Sequence, residues 1–543
     1  MSEPAAGRFR YPEGLALLAV LALSLALRLA HLDTLLPWFT YEDETRVTSV
    51  TLQLLRDWTI DPRHSFYPAL PFYLNAIAYW LWSAPGLLGP ILSEGPSAVA
   101  GFFVRFADDD PTIIMLSRWV SLGFGMGAIV FSHLLFRQYL KWRWAAFATL
   151  LVGLNTVAIA MSDVAKTDSL YLFWFAAGYY FVVKYFYRGG YGWLLAACAC
   201  AGFGTVTKNN YQIVIALLVY FLIRNLRGLP RLRDLLRNRE LWVTLLAIPL
   251  FAFIGSPYSF LRFKDTLVTA GWLYAQSEII STYHTDFHVW WLDRYSYLVT
   301  VVLPFVFGLP VFWLAVAGAA HNFRKRPRSD LFVFLNLTWY VYIFGSGSGG
   351  PAGGAFPYYL FLIAVPLALF MAVELAADLA AAPGNGRRAL GYGIAAVLLV
   401  TSLCRLYAYH DLFFAPYDRL GPQFLGLAGQ RNLMVSVYKP GPALAGLDVM
   451  SVWPHEFNEA LVHSYNPDVL IIDDWVVAGF RKVYRDQPVA PLVDSFLDGR
   501  RGYDTILKLP AEYFGRAYYA ALDPEHDVAL TALSRGRTPE KEQ

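Results

Sequence analysis

Long apolar windows separated by short polar or basic loops fill most of the chain up to about residue 410. A helix needs about 20 apolar residues to cross the hydrocarbon core of a bilayer. Eleven windows approach or exceed that length, near residues 14–32, 113–136, 144–162, 168–187, 192–207, 210–223, 241–257, 298–320, 331–346, 357–380 and 389–409. The pattern predicts a polytopic α-helical membrane protein with about 11 spans.

A twelfth apolar window, residues 70–92, is interrupted by prolines and glycines and is amphipathic in its middle. If this window does not cross, the basic loops fall on the same side as the N-terminus, as the positive-inside rule requires. Their basic residues are Arg137, Lys141, Arg143, Lys184, Arg188, six arginines between 224 and 239, Arg324, Lys325, Arg326, Arg328, Arg387 and Arg388. We therefore predict a cytoplasmic N-terminus, with residues 33–112 as one extracytoplasmic loop that carries interfacial helices.

Beyond about residue 410 the pattern changes to that of a soluble protein. The segments DVMSV and DVLIIDD are typical of strands, and HEFNEALVHSY between them has the pattern of a helix. The sequence therefore predicts two domains. Residues 1–410 form a transmembrane domain, and residues 411–543 form a small extracytoplasmic α/β domain.

Composition supports a membrane protein. The chain is 57% hydrophobic with a mean hydropathy of +0.41, and only 16% of its residues are charged, whereas a soluble protein has about 25%. The aromatic content of 17% suits a protein with two bilayer interfaces. The three cysteines, Cys198, Cys200 and Cys404, lie in apolar segments and are predicted to be small core residues. We expect a multi-pass protein of the plasma (inner) membrane.

Three consecutive acids, Glu42, Asp43 and Glu44, follow the first span in the stretch FTYEDETRV. Apolar residues at helical spacing come directly after them, which would place Asp43 in the first turn of a helix. A solvated loop and a helix-start acid stabilised by the helix dipole are the alternatives to a functional carboxylate.

A second group of charged residues lies where two spans meet, in SDVAKTDSLYLFWF. A carboxylate such as Asp168 at the mouth of a span is costly unless it is paired or used. The alternative is that Asp168 caps a helix and Lys166 is its exposed neighbour. Lys208, in TVTKNN, stands at the end of a later span. It could hold a phosphate or extend to the interface as lysines often do.

Two further segments carry candidate residues. In STYHTDFHVWW, His284 and His288 are spaced to bind a metal ion or to donate hydrogen bonds to phosphate or sugar, but no third metal ligand is fixed by spacing. Structural or interfacial histidines are the alternative. Tyr358 and Tyr359 follow a glycine-rich loop and would anchor a span. The sequence has no glycine-rich phosphate-binding loop after a strand, as a soluble nucleotide-sugar site would need. It therefore favours a lipid phosphate as the substrate.

The order of these motifs resembles that of a known family. DETR (43–46), RHSFYPALPFYLNA (63–76), Arg118 in the next span, Asp168 and the pair Thr207–Lys208 follow one another at similar spacing. Over about residues 10–410, the chain resembles the polyprenyl-phosphate-dependent glycosyltransferases of fold class C. That group contains the protein O-mannosyltransferases (glycosyltransferase family 39) and the lipid A aminoarabinose transferases.

The resemblance implies an inverting glycosyltransferase with Asp43 as general base and Asp168 as a second catalytic acid. The candidate substrate-binding residues are Glu44, Arg46, Tyr67, Lys166, Lys208, His284, His288, Tyr358 and Tyr359. The donor would be a sugar on polyprenyl phosphate. The acceptor would be a lipid, a glycan or a protein, reached on the extracytoplasmic face. No nucleic-acid partner is predicted.

Cofactor use stays open at this point. Phe66 stands where the aminoarabinose transferases have a glutamate implicated in metal binding, and Pro357 stands where an arginine often begins the late span. A divalent metal ion, with Asp43, His284 and His288 as candidate ligands, is therefore one alternative and no cofactor is the other. A transporter or flippase of polyprenyl-linked glycans is the competing function. It would place its polar residues inside the spans near the midplane. The in-span charges here, Arg28, Arg118 and Glu374, are too few and too scattered to form a pathway.

Overall fold

A computed structural model describes the parts of the chain from which the fold is built. The described residues are 11–33, 42–63, 68–107, 110–208, 237–265, 306–325, 364–408, 430–435, 448–452, 457–473, 489–498, 500–501, 503–510 and 529–535. The chain divides into two compact units. The first unit is Met1–Thr34, Asp43–Glu278 and Phe287–Tyr407, and the second is Leu35–Glu42, Ile279–Asp286 and Ala408–Gln543.

The first unit is helical throughout its described residues. Its helices are α1 (Tyr11–Leu29), α2 (Glu42–Arg56), α3 (Leu70–Glu94), α4 (Pro96–Phe103), α5 (Pro111–Phe136), α6 (Trp142–Gly153), α7 (Thr156–Ser162), α8 (Asp168–Arg188), α9 (Tyr191–Lys208), α10 (Arg239–Gly255), α11 (Pro257–Leu261), α12 (Leu309–Lys325), α13 (Ala364–Ala381) and α14 (Asn385–Tyr407). Helices occupy all or part of nine predicted span windows. The windows 210–223 and 331–346 lie outside the described residues.

Three helices of the described part are long and apolar enough to cross a membrane: α1, α5 and α14. The predicted window 144–162 is a broken segment, because α6 and α7 meet at an angle of 60°. Asn155 accounts for the break. Its side-chain oxygen accepts a hydrogen bond from the N–H of Ala158 and so caps α7, and its Nδ2 donates to the carbonyl of Val306.

The twelfth apolar window forms one helix, α3, that continues through Pro85 and Pro90. Residues at spacings of three and four form its buried stripe, including Phe72, Tyr79 and Leu87, while large apolar residues such as Leu81 are exposed. This amphipathic pattern agrees with the prediction of an interfacial helix. That α3 does not cross the membrane stays a prediction.

Contacts between helix ends show how the first unit is arranged. Near the start of α1, Glu13 pairs with Arg137, which directly follows α5. Beyond the end of α1, the carbonyl of Leu32 accepts a hydrogen bond from Arg118, in the first half of α5. Helices α1 and α5 are therefore antiparallel. Arg137 lies at one end of this pair and Arg118 lies toward the other.

The second unit contains a five-stranded sheet among its described residues. Its strands are β1 (Arg431–Val435), β2 (Asp448–Val452), β3 (Val469–Asp473), β4 (Tyr503–Pro510) and β5 (Ala529–Arg535), in the order β2-β1-β3-β5-β4. Strand β1 is parallel to β2 and β3, and β5 is antiparallel to β3 and β4. Helices α15 (Glu459–Tyr465) and α16 (Val489–Leu497) complete its described elements. The strands predicted in DVMSV and DVLIIDD are confirmed, as is the helix between them.

The cysteine prediction is only partly right. Cys198 and Cys200 are buried on α9, whereas Cys404 is exposed on α14. An apolar segment has a buried face and an outer face, and hydrophobicity alone does not assign a residue to one of them.

Candidate active site

A buried ion pair joins the acidic segment to the helix bundle. Arg118 donates from Nε to Oε1 of Glu44 at 3.0 Å and from Nη2 to Oε2 at 3.1 Å. Both side chains are almost fully buried. Such a two-point contact fixes orientation as well as distance, so the first turn of α2 is held against α5.

The same carboxylate also holds the turn between α7 and α8. The backbone N–H of Ala165 donates to Oε1 of Glu44 at 2.7 Å, and Nη1 of Arg118 donates to the carbonyl of Leu32 at 2.9 Å. Ser121, one turn along α5, donates to the carbonyl of Lys166 at 3.2 Å. One glutamate and one arginine therefore tie together the end of α1, the start of α2, helix α5 and the α7–α8 turn.

This turn, residues 163–167, is polar and wholly buried. Its charged members, Asp163 and Lys166, have only 1% and 5% of their surfaces exposed. Charged groups are expensive to remove from water without partners, so the protein maintains a charged cluster inside this end of the bundle.

Asp168, the first residue of α8, contacts two lysines of this cluster, Lys166 and Lys208. Its Oδ1 accepts a hydrogen bond from the ammonium of Lys208 at the end of α9. Its Oδ2 lies 3.9 Å from Nζ of Lys166 and accepts no hydrogen bond among the described residues. The carboxylate is buried, stands between two ammonium groups and is incompletely hydrogen-bonded.

Asp43 lies in the first turn of α2, as predicted. It directly precedes Glu44, so its Cα is within about 3.8 Å of that residue's Cα. The apolar face of α2 is also fixed, since Val47, Val50 and Leu54 pack against Phe72 of α3. Asp43 is therefore carried on a helix start that is tied to the α7–α8 turn. Its side chain lies outside the described residues.

The other candidates are distributed unevenly. Arg46 is half-buried on α2. Tyr67, His284, His288, Tyr358 and Tyr359 lie outside the described residues, so their roles stay predictions. Among the described residues, no group of three or more His, Cys, Asp or Glu side chains is arranged to hold a metal ion.

The contacts decide between several alternatives that the sequence left open. Glu44 is buried, so the triple acid is not simply a solvated loop. Lys166 is buried, so it is not an exposed neighbour of a capping aspartate, and Asp168 lies within the first turn of α8 with its side chain bonded to Lys208. Lys208 forms that ion pair with 14% of its side chain exposed, which is not the extended conformation of an interfacial lysine.

The pairing of Arg118 with Glu44 was not predicted. An arginine inside an apolar span is costly without a partner, so its presence predicts that the fold brings a carboxylate into contact with it. Glu42, Asp43 and Glu44 are consecutive, and the sequence alone does not show which of the three pairs with Arg118.

Comparison with known proteins adds a family and a fold. The family model of dolichyl-phosphate-mannose-protein mannosyltransferases matches residues 73–264, roughly a third of the chain. The matched part contains Arg118, the α7–α8 turn, Asp168 and Lys208, and it begins after Asp43. No curated protein matches the chain by sequence.

Two solved structures of one archaeal enzyme share the fold. The oligosaccharyltransferase AglB from Archaeoglobus fulgidus, in complex with an inhibitory peptide and a dolichol-phosphate, is 12% identical with a TM-score of 0.50, over 91% of this chain and 73% of that one. The A. fulgidus oligosaccharyltransferase in complex with Zn and sulfate is 13% identical with a TM-score of 0.51, over 90% and 72%. At these identities the similarity shows the fold alone.

A third structure, ArnT from Cupriavidus metallidurans in the apo state, is similar over 95% of this chain and 97% of that one, with 13% identity and a TM-score of 0.47. The family match and the AglB fold confirm the resemblance found in the sequence. The chain resembles polyprenyl-phosphate-dependent glycosyltransferases of fold class C, and it is a membrane glycosyltransferase.

Proposed function

We propose that this protein transfers a sugar from a polyprenyl-phosphate donor to an acceptor hydroxyl or amine, by a single displacement with inversion. The observation that carries the proposal is the charged cluster at one end of the bundle. There the Glu44–Arg118 pair holds the acid-bearing start of α2 against the turn that leads to Asp168. Acids and buried lysines brought together in this way suit a reaction that moves a proton and releases a phosphate.

Asp43 is the general base of this proposal. Its carboxylate takes the proton of the acceptor while the acceptor oxygen or nitrogen attacks the anomeric carbon. The bond from that carbon to the phosphate oxygen breaks, and polyprenyl phosphate leaves with the electron pair. Attack opposite the leaving group inverts the anomeric configuration, by the same logic as in inverting glycoside hydrolysis.

Lys166 and Lys208 are proposed to stabilise the departing phosphate. Both ammonium groups already face a carboxylate, that of Asp168, in a buried environment. Charge pairing is stronger there than in bulk water because the effective dielectric constant is lower. Cations positioned before reaction act on charge that develops in the transition state without further reorganisation. Asp168 would then position the lysines.

The side chains of the three candidate metal ligands, Asp43, His284 and His288, lie outside the described residues, so the metal alternative stays a prediction. No step of the proposed reaction uses a metal ion. His284 and His288 lie outside the described residues and keep their proposed role as substrate-binding residues.

The transporter alternative is less well supported by the residues inside the spans. Arg28 donates to the carbonyls of Ser24 and Gly153, Arg118 pairs with Glu44, and Glu374 accepts hydrogen bonds from Asn322 and Lys325. Each of these three charges is thus engaged in a structural contact rather than directed along a pathway.

The distribution of basic loops leads us to propose that the site faces the extracytoplasmic side. A single cysteine introduced at Ser93, in the last turn of α3, should react with a membrane-impermeant thiol reagent in intact cells. A cysteine at Asn385, the first residue of α14, should react only after permeabilisation. Protection of the first position in intact cells would contradict the proposed topology.

Turnover by the purified protein in lipid tests the function directly. A panel of polyprenyl-phosphate sugars is offered with lipid, glycan and peptide acceptors, and release of polyprenyl phosphate is measured together with product formation. We expect one donor to be consumed with stoichiometric transfer. Movement of intact donor across a vesicle membrane without cleavage would instead support the transporter.

A further inference from the structure

Four basic residues gather where two helices begin. Lys141 is the N-cap of α6 and Arg143 lies in the first turn of that helix. Arg387 and Arg388 lie in the first turn of α14. All four side chains are exposed.

The two helix starts are neighbours. The rings of Trp144 on α6 and Tyr392 on α14 stack with centroids 6.2 Å apart and planes 25° from parallel. Helix α6 begins shortly after Arg137, which pairs with Glu13 at the start of α1. This corner therefore lies at the end of the first unit opposite the candidate active site.

Such an arrangement concentrates positive charge. The N-terminus of a helix carries a partial positive charge of about half an elementary charge, so cations are favoured at the other end. Two helix N-termini and four cations adjoin here. Within the described part of the chain, no carboxylate pairs with any of the four. An anion from outside the protein would remove the repulsion.

Two other cations at this end differ in both respects. Arg137 follows the C-terminal end of α5 and is paired with Glu13, and Lys325 ends α12 and is paired with Glu374 and Asp378. Those cations complement helix dipoles and have protein partners.

The start of α10, beside Arg237 and Arg239, is capped by Asn238 and carries Glu240 in its first turn. The starts of α6 and α14 have no acid in the first turn, and their four cations pair with no carboxylate among the described residues.

The aromatic residues of this corner are of the types typical of the boundary between lipid and water. The guanidinium of Arg143 lies 5.4 Å from the ring centroid of Trp142, and Tyr392 is 62% exposed. Trp and Tyr are enriched at the depth of lipid headgroups. Exposed apolar residues of α14, including Leu390 and Val397, continue along the helix away from the cations. An acyl chain would fit beside them.

We propose that the α6–α14 corner binds the phosphate headgroup of an anionic phospholipid, with its acyl chains along the exposed face of α14. The phosphate would lie among the four cations and over the two helix N-termini, and Trp144 and Tyr392 would lie at the level of the glycerol backbone. This lipid site is separate from the candidate active site and does not depend on the proposed reaction.

Lipid-dependent stabilisation of the full-length protein tests the proposal. Purified protein in neutral detergent is titrated with phosphatidylglycerol, phosphatidylcholine or inorganic phosphate. Thermal unfolding followed by Trp fluorescence then gives the apparent Kd from the shift in midpoint. R387Q/R388Q and K141Q/R143Q are compared with the control R237Q/R239Q, which removes the same charge near the start of α10. R387K/R388K keeps the charge and serves if the glutamine variant does not fold.

We expect phosphatidylglycerol alone to stabilise the wild-type protein. Each test variant should raise its apparent Kd by about 25-fold, since each cation near an anionic surface contributes about fivefold. The control and R387K/R388K should bind nearly as the wild type does. Three outcomes would overturn the proposal: an equal loss in the control, stabilisation by inorganic phosphate at similar concentrations, or no preference for phosphatidylglycerol over phosphatidylcholine.

Discussion

Buried carboxylates meet cations at both ends of the first unit, but the two ends differ in how fully the carboxylates are bonded. At the end near the N-terminus, both oxygens of Glu13 contact Arg137, and those of Glu374 accept from Asn322 and Lys325. At the other end Glu44 is equally satisfied, yet Asp168 has one oxygen without a hydrogen bond among the described residues.

The comparison separates two uses of buried charge. A fully bonded carboxylate such as Glu13 or Glu44 ties helices together, and breaking the tie should damage folding first. An incompletely bonded carboxylate such as Asp168 retains capacity to bind another group, and changing it should damage activity first. Burial alone therefore does not identify a catalytic residue.

The largest effect is expected from Arg118→Ala. Removing this guanidinium leaves the Glu44 carboxylate buried without its partner, which costs about 3–5 kcal/mol of stability. It also frees the start of α2, so the turnover of the remaining folded protein should fall. Denaturant unfolding in detergent and turnover per folded molecule are the two measurements.

Arg137→Ala is the matched variant at the other end. It removes the partner of Glu13, so stability should also fall, but turnover per folded molecule should be unchanged. If the two arginine variants lost the same fraction of turnover per folded molecule, the distinction between the two ends would be wrong.

Asp168→Asn should act mainly on the donor. The substitution nearly preserves shape but removes the charge that positions Lys208 and Lys166, and a hydrogen bond to a charged group contributes about 1.5–3 kcal/mol. The KM for the donor should rise roughly 10- to 100-fold, with stability changed by less than the cost of losing Arg118. Glu13→Gln, the control, should leave KM unaltered. A stability loss of about 1 kcal/mol with normal KM is what a helix-start residue would give.

Much of the fold could be predicted because its signals are local. The windows for α5, α8 and α9 follow from runs of apolar residues, and the α2 pattern follows from Val47, Val50 and Leu54 at helical spacing. The break between α6 and α7 was not predicted, since it depends on the contact of Asn155 with Val306. Strand β1 was also missed. It lies between β2 and β3 in the sheet. Its sequence, RNLMV, begins with two polar residues and has an apolar run of only three, which is too short to indicate a strand.

The candidate site was predictable as a set of residues but not as a set of pairs. The cost of charge near a span identifies Arg118, Asp168 and Lys208 in the sequence. It does not show that Glu44 bonds Arg118 or that Asp168 bonds Lys208, because these partners are 74 and 40 residues apart. Contacts across such distances depend on how the helices pack.

The smallest effect is expected at the pair of Lys325 and Asp378. Its side chains are 43% and 32% exposed, so solvent screens the interaction and its contribution is about 1 kcal/mol or less. Asp378→Asn should shift stability slightly and leave turnover unchanged. Loss of activity in this variant would show that the end of the first unit that holds Glu13 and Glu374 contributes to the reaction.

The turnover of Asp43→Asn tests the central claim most directly. The substitution nearly preserves shape at a position that the adjacent Glu44–Arg118 pair holds in place, so folding and donor binding should be retained. Removing a positioned general base should lower turnover by roughly 10²–10⁴, whereas Glu42→Gln should have a much smaller effect. Near-normal transfer by Asp43→Asn, with donor binding intact, would contradict the assignment of Asp43 as the base.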